Sequence, residues 1–153
     1  MKKLVVDEWL WADLKGENQL ERQRETFAFL LQVFKRCDQL VTVVGSKFME
    51  KFWRLAKDAS TVELRKIVKV FKDHFFLNSN KLQQYQEYQL RPFPEEMRGR
   101  VKEDDQYLVR VYLTANADVL ITTDNPLIAT LNAHDILSRA RDEFLREYLS
   151  QQD

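Results

Sequence analysis

One cysteine, three glycines and three prolines are all that this 153-residue chain has of those types, and each scarcity removes a class of protein. A lone Cys37 can form neither an internal disulfide nor a cysteine-based zinc site, which favours a reducing setting. Three glycines are too few for a glycine-rich phosphate loop or a dinucleotide fingerprint. No apolar run is long enough to span a bilayer, and the opening Leu4-Val5-Val6 is too short for the apolar stretch of a signal peptide. A cytoplasmic protein with no membrane partner is therefore expected. Excess charge is also missing: 24 basic side chains balance 24 acidic ones, so any contact with nucleic acid must come from a local patch. Linkers, repeats and low-complexity tracts are absent too, and residues 1–153 read as a single domain.

What is present is an alternation of short apolar runs with amphipathic stretches. Leu4-Val5-Val6 and Leu40-Val41-Thr42-Val43-Val44 are short, continuous and β-branched, the pattern of strands buried on both faces. Between them, Leu20, Phe27, Leu30, Leu31 and Phe34 recur at helical spacing over residues 18–36. Gly45-Ser46 breaks the second strand, and a helix follows with Met49, Phe52, Trp53 and Ala56 on one face. Ser60-Thr61-Val62-Glu63 has capping-box spacing and opens a helix with Leu64, Ile67, Val68 and Phe71 inward.

A third strand is expected at residues 74–77 and a polar helix over residues 81–90, followed by an extended Arg91-Pro92-Phe93-Pro94. A helix begins near Asp104, with Leu108, Val111, Tyr112 and Ala115 as its buried stripe. Val119-Leu120-Ile121-Thr122 is the clearest strand, and Asn125-Pro126 reads as a helix cap with proline in the first turn. Ile136-Leu137 suggests a last short strand before a helix over residues 141–149. The alternation predicts an α/β fold, a three-layer α/β/α sandwich around a central parallel sheet.

In such a sheet the strand C-termini share one edge, where sites form. Asp7 directly follows the first strand and Asp124 follows the clearest one. Asp104 and Asp105 stand at the mouth of a helix, and both extend its inward stripe. Glu50 sits in the first turn of the helix after the second strand. Acids converging there would lose hydration and repel one another, and a divalent cation answers both difficulties. Oxygen ligands with retained waters suit Mg²⁺ or Mn²⁺. Each acid also has an ordinary reading: Asp104 or Asp105 as a helix cap, Asp124 as a turn former, Glu50 as a solvated helix residue. Arg91, Arg98, Arg100 and Lys102 cluster before Asp105, and Lys47 and Lys51 flank Glu50; either set can meet phosphate or simply face water.

Three segments of this pattern resemble the PIN-domain family, VapC-like toxin ribonucleases among them. They are Leu4-Val5-Val6-Asp7, the strand–break–helix from Val41 to Glu50, and the block from Asp105-Gln106-Tyr107-Leu108 through Ala117-Asp118 to Thr122-Thr123-Asp124. The resemblance implies Asp7, Glu50, Asp105 and Asp124 as the acidic positions, with Asp7, Asp105 and Asp124 as metal ligands. It also selects Asp105 over Asp104, gives Thr122 a supporting role, and implies an endoribonuclease that uses Mg²⁺ or Mn²⁺ on RNA. Arg98, Arg100, Lys102 and Lys47 would then contact the substrate. A toxin's place in a toxin–antitoxin pair follows, with an antitoxin and a homodimer as expected partners. Glu8-Trp9 departs from the small polar pair common after the family's first acid. That departure and the neutral charge favour an alternative, a catalytically weak PIN-like module that binds RNA or a protein partner.

Overall fold

The computed structural model describes residues 1–151 and is an α/β protein built on five parallel strands. In chain order the strands are β1 (Lys3–Val6), β2 (Gln39–Val43), β3 (Leu82–Tyr85), β4 (Val119–Thr122) and β5 (Ser138–Ala140). The helices are α1 (Trp9–Lys15), α2 (Leu20–Lys35), α3 (Lys47–Asp58), α4 (Val62–Phe71), α5 (Gln106–Ala115), α6 (Asn125–Ala133) and α7 (Arg141–Ser150). Across the sheet the strands lie β3-β2-β1-β4-β5. The chain therefore winds outward from β1 to β3, crosses back over the sheet, and continues outward through β4 and β5. The order reverses between β1 and β4, which pair with Leu4, Val5 and Val6 opposite Val119, Leu120 and Ile121.

Alternation along the strands builds the three layers, because successive side chains in a strand point to opposite faces. Leu4, Val6, Leu40, Val119 and Ile121 join α1–α4 and α7 in one core, where Trp11 packs against Phe48, Phe52 and Phe71. Val5, Val41, Val43 and Leu120 join α5 and α6 in the other, with Leu90, Phe93, Met97 and Val101 from the irregular segment before α5. Among the described residues no helix is long and apolar enough to cross a membrane.

Several local expectations are corrected. Residues 74–77 are not a strand: α4 runs on through a π-helical turn, Lys72–Phe76, that buries Phe75. The third strand is instead the polar Leu82–Tyr85, which had the composition of a helix. It lies at the sheet edge, where one side is solvated and glutamines carry no burial penalty. The last strand is not Ile136-Leu137 but the segment directly after it, Ser138–Ala140. Thr61 rather than Ser60 caps α4, accepting from the Leu64 N–H at 3.1 Å. Asp124 rather than Asn125 caps α6, placing Pro126 in its first turn. The buried stripe of α2 is Thr26, Phe29, Leu30 and Val33, so Leu20, Leu31 and Phe34 face outward, as does Trp53 of α3. Helix α1 has no counterpart in the expected elements.

Candidate active site

Asp7 leaves β1 at the point where strand order reverses. Its N–H donates to the Ile121 carbonyl at 3.2 Å, and the Trp9 indole N–H donates to that same oxygen at 2.9 Å. The β1–β4 seam is thereby extended past the last paired residues, and Asp7 is held rigidly. Its Oδ1 accepts from the Glu8 N–H at 2.7 Å, and its Oδ2 accepts from the Thr122 hydroxyl at 2.8 Å. The Thr122 oxygen accepts in turn from the Asp124 N–H at 3.2 Å, and Asp124 Oδ1 accepts from the Leu127 N–H at 3.1 Å. One hydroxyl, fully buried, thus links the two strand-end acids. Capping of α6 by Asp124, its ordinary reading, is realised, and it fixes the carboxylate at the sheet edge.

Asp105 arrives on a 3₁₀ turn, Glu103–Asp105, and occupies the cap position of α5 without making a capping hydrogen bond. Its carboxylate is half-buried and directed elsewhere. Burial pushes the Asp105 carboxyl above its ordinary value, and the charges of Asp7, Asp124 and Glu8 add to the rise while Lys47 opposes it. Burial likewise raises Asp7 against the hydrogen bonds from Glu8 and Thr122; the Glu8 charge adds to the rise, and Lys47 again opposes it. Residues 7, 105 and 124, far apart in the chain, therefore share one field at the sheet edge.

Glu50 and Asp104 do not join them. Both are exposed, and Glu50 is absent from the charges that most affect Asp7 and Asp105. The fourth acid at this edge is Glu8, which the expected set omitted. Its side chain, 15% exposed, bridges two ammonium groups, with Lys47 Nζ 2.8 Å from Oε1 and Lys51 Nζ 2.8 Å from Oε2. Burial pushes the Glu8 carboxyl up, but the hydrogen bonds and charges of the two lysines outweigh it and hold the group below its usual range. Lys47 also stands 3.9 Å from Asp105 Oδ1. The signal was present in the sequence: lysines four residues apart lie on one helix face, opposite whatever follows β1.

Tyr107, in the first turn of α5, was also overlooked as a site residue. Its hydroxyl is buried without a hydrogen-bond partner, and burial together with the charges of Asp7, Glu8 and Asp105 pushes its ionisation up. Arg98, Arg100 and Lys102 are exposed on the segment leading into Asp105, and Arg98 pairs with Glu95 at 3.1 Å. Residues 91–105 hold four basic and five acidic side chains, so this segment carries no net positive charge.

The donor set bears on the implied cation. No three acidic, histidine or cysteine side chains among the described residues are gathered tightly enough to form a complete coordination group. Mg²⁺, however, is commonly held by one or two carboxylates with waters filling its shell. Asp7 and Asp105, both raised by burial, with the Asp7 charge adding to the rise at Asp105, are hard donors of that kind. The chemistry of the set fits a hydrated divalent ion. Hollows of about 150, 330 and 610 Å³ are lined by other residues. No protein-family model matches the chain, and no curated protein matches it.

Proposed function

We propose that the chain is a metal-dependent endoribonuclease of PIN type. What supports this reading is the pair of strand-end acids Asp7 and Asp124, linked through the Thr122 hydroxyl at the C-terminal sheet edge where strand order reverses, with Lys47 standing between Glu8 and Asp105. Ligands of open parallel sheets bind at that place.

Mg²⁺ or Mn²⁺, when bound, supplies an activated water and neutralises charge on the phosphoryl group. Asp7 and Asp105 would hold the ion, with Asp124 as a third donor or an outer contact. Thr122 keeps the Asp7 carboxylate turned toward the edge by donating to Oδ2, so the acid is oriented before any substrate arrives. Lys47, with Arg98, Arg100 and Lys102 on the segment before Asp105, would contact the RNA backbone. The proposal extends to a cytoplasmic toxin of a toxin–antitoxin pair, with an antitoxin protein and a second copy of the chain as partners.

The test is cleavage of a mixed RNA pool by metal-free protein with and without added Mn²⁺. Activity should require the ion, vanish in Asp7→Asn, and fall about 10- to 100-fold in Thr122→Val, the usual cost of losing a group that orients a ligand. Cleavage that persists in Asp7→Asn would overturn the reading. One observation favours a second reading, a PIN-like module with weak catalysis: Lys47 and Lys51 already neutralise part of the acidic cluster. RNA retention without cleavage under the same conditions would select it.

A further inference from the structure

Two acids of the site share one ammonium group. Lys47 Nζ lies 2.8 Å from Glu8 Oε1, a hydrogen-bonding distance, and 3.9 Å from Asp105 Oδ1, the outer limit of an ion pair. Lys51, one turn further along α3, pairs with Glu8 at 2.8 Å and, among the described residues, forms no ion pair with Asp105. Around Asp105 the other groups that act on its charge, Asp7, Asp124 and Glu8, are all negative. Lys47 is the cation that stands against them, 3.9 Å from Asp105 Oδ1, in the role that the donor chemistry would otherwise give to a divalent ion.

We propose that the Lys47 ammonium is a tethered counter-ion of the acidic site, which compensates Asp105 when no divalent cation is present and yields that contact when one binds. This inference rests on the metal-dependent reading of the site. The unequal distances define the movement: the long contact to Asp105 breaks, while the short one to Glu8 persists. Lysine suits such a task, because its compact charge rides on a flexible four-carbon stem, unlike the rigid fork of arginine. Glu8 is then a positioning residue. It anchors both lysines beside the site, so that an ammonium released from Asp105 stays at the sheet edge, available to a substrate phosphate. The cation affinity of the site is accordingly set by competition with a charge that the chain itself supplies.

Lys51 provides an internal control, since it shares the helix, the charge and the Glu8 partner but does not touch Asp105. Mn²⁺ alone is titrated into metal-free native protein, Lys47→Met, Lys51→Met and Asp7→Asn, with free Mn²⁺ followed by its paramagnetic resonance signal. Lys47→Met should bind Mn²⁺ about tenfold more tightly than native, the expected gain on removing a nearby like charge. Lys51→Met should stay within about threefold, its charge being further away and better screened. Lys47→Gln should repeat the Lys47→Met result, separating loss of charge from altered packing. Equal affinities in Lys47→Met and Lys51→Met would overturn the counter-ion proposal, and they leave the metal reading standing if Asp7→Asn no longer binds. Failure of every protein to bind Mn²⁺ would overturn both.

Discussion

The two carboxylates with raised ionisation set the sign of a pH effect. Asp105, above its ordinary 3.8 in the folded protein, takes up a proton more readily folded than unfolded. Its contribution to stability is therefore fully present below that ordinary value and is lost as the pH rises through the folded one. Asp7 behaves in the same way, whereas Glu8, held low by its lysines, stabilises above its ordinary 4.5 and loses that effect on acidification. At neutral pH without metal, Asp105 is thus a cost to the fold. Asp105→Asn should stabilise the metal-free protein by on the order of 1 kcal/mol at pH 7, a rise of roughly 2–4 °C in melting temperature for a chain of this size. The gain should shrink toward zero near pH 3, as calorimetry across the range would show. A destabilised variant at pH 7 would mean that Asp105 is well compensated after all. Legibility in the sequence also varied by residue. Strand ends point to Asp7 and Asp124 and a helix mouth to Asp104 and Asp105, places that topology fixes, while the choice of Asp105 over Asp104 comes from the family resemblance alone. Glu8 was missed in favour of Glu50 because the choice depends on which way two side chains turn across the gap between β1 and α3, which no spacing rule encodes.

Elements buried on both faces were legible for a simple reason: β1, β2 and β4 must be continuously apolar. The edge strand β3, with Leu-Gln-Gln-Tyr, escapes that requirement and looked helical. Helix α1 is seven residues long and carries two tryptophans, too short for a periodic signal. Its role is nonetheless defined by a buried ionic network that joins α1, α2 and α7. Arg141, 2% exposed, donates to Asp13 at 2.9 Å, to Glu25 at 3.0 Å and to the Thr26 hydroxyl at 3.1 Å, while Asp13 is fully buried. Removing the arginine alone leaves a carboxylate without its cation in the core. Arg141→Met should cost about 3–5 kcal/mol in denaturant unfolding, and Arg141→Met with Asp13→Leu should recover most of it, because an apolar replacement of both partners removes the desolvation penalty. A double variant no better than the single one would show that the network itself holds α7 in place. Thr26 and Asn18 also contact Asp13, so the recovery measures how far those polar neighbours tolerate an apolar partner.

At the scale of the whole molecule, charge balance limits how RNA can be held. Every basic residue assigned to substrate contact is exposed or partly exposed, and acids interleave with those of residues 91–105. If Lys47, Arg98, Arg100 and Lys102 each meet one phosphate, the slope of log affinity against log salt should be roughly −3 for single-stranded RNA. A much steeper slope, measured by anisotropy on Asp7→Asn to prevent cleavage, would require a basic surface outside this edge. The architecture itself was readable as a whole before its parts were: the β-α alternation implies parallel strands, and parallel strands imply helices on both faces. The reversal between β1 and β4 was not readable, since no local pattern states which strands are neighbours.

The carbonyl of Ile121 receives both the Asp7 amide and the Trp9 indole, and this convergence gives the protein an optical reporter. Of the three tryptophans, Trp11 has a buried indole N–H without a partner and Trp53 is 44% exposed, so among the described residues phenylalanine can replace both without breaking a hydrogen bond. The remaining indole emits from the seam on which the first acid rests. Paramagnetic Mn²⁺ arriving beside that acid should quench it, while an emission indifferent to Mn²⁺ would place the ion away from the meeting of the two strands.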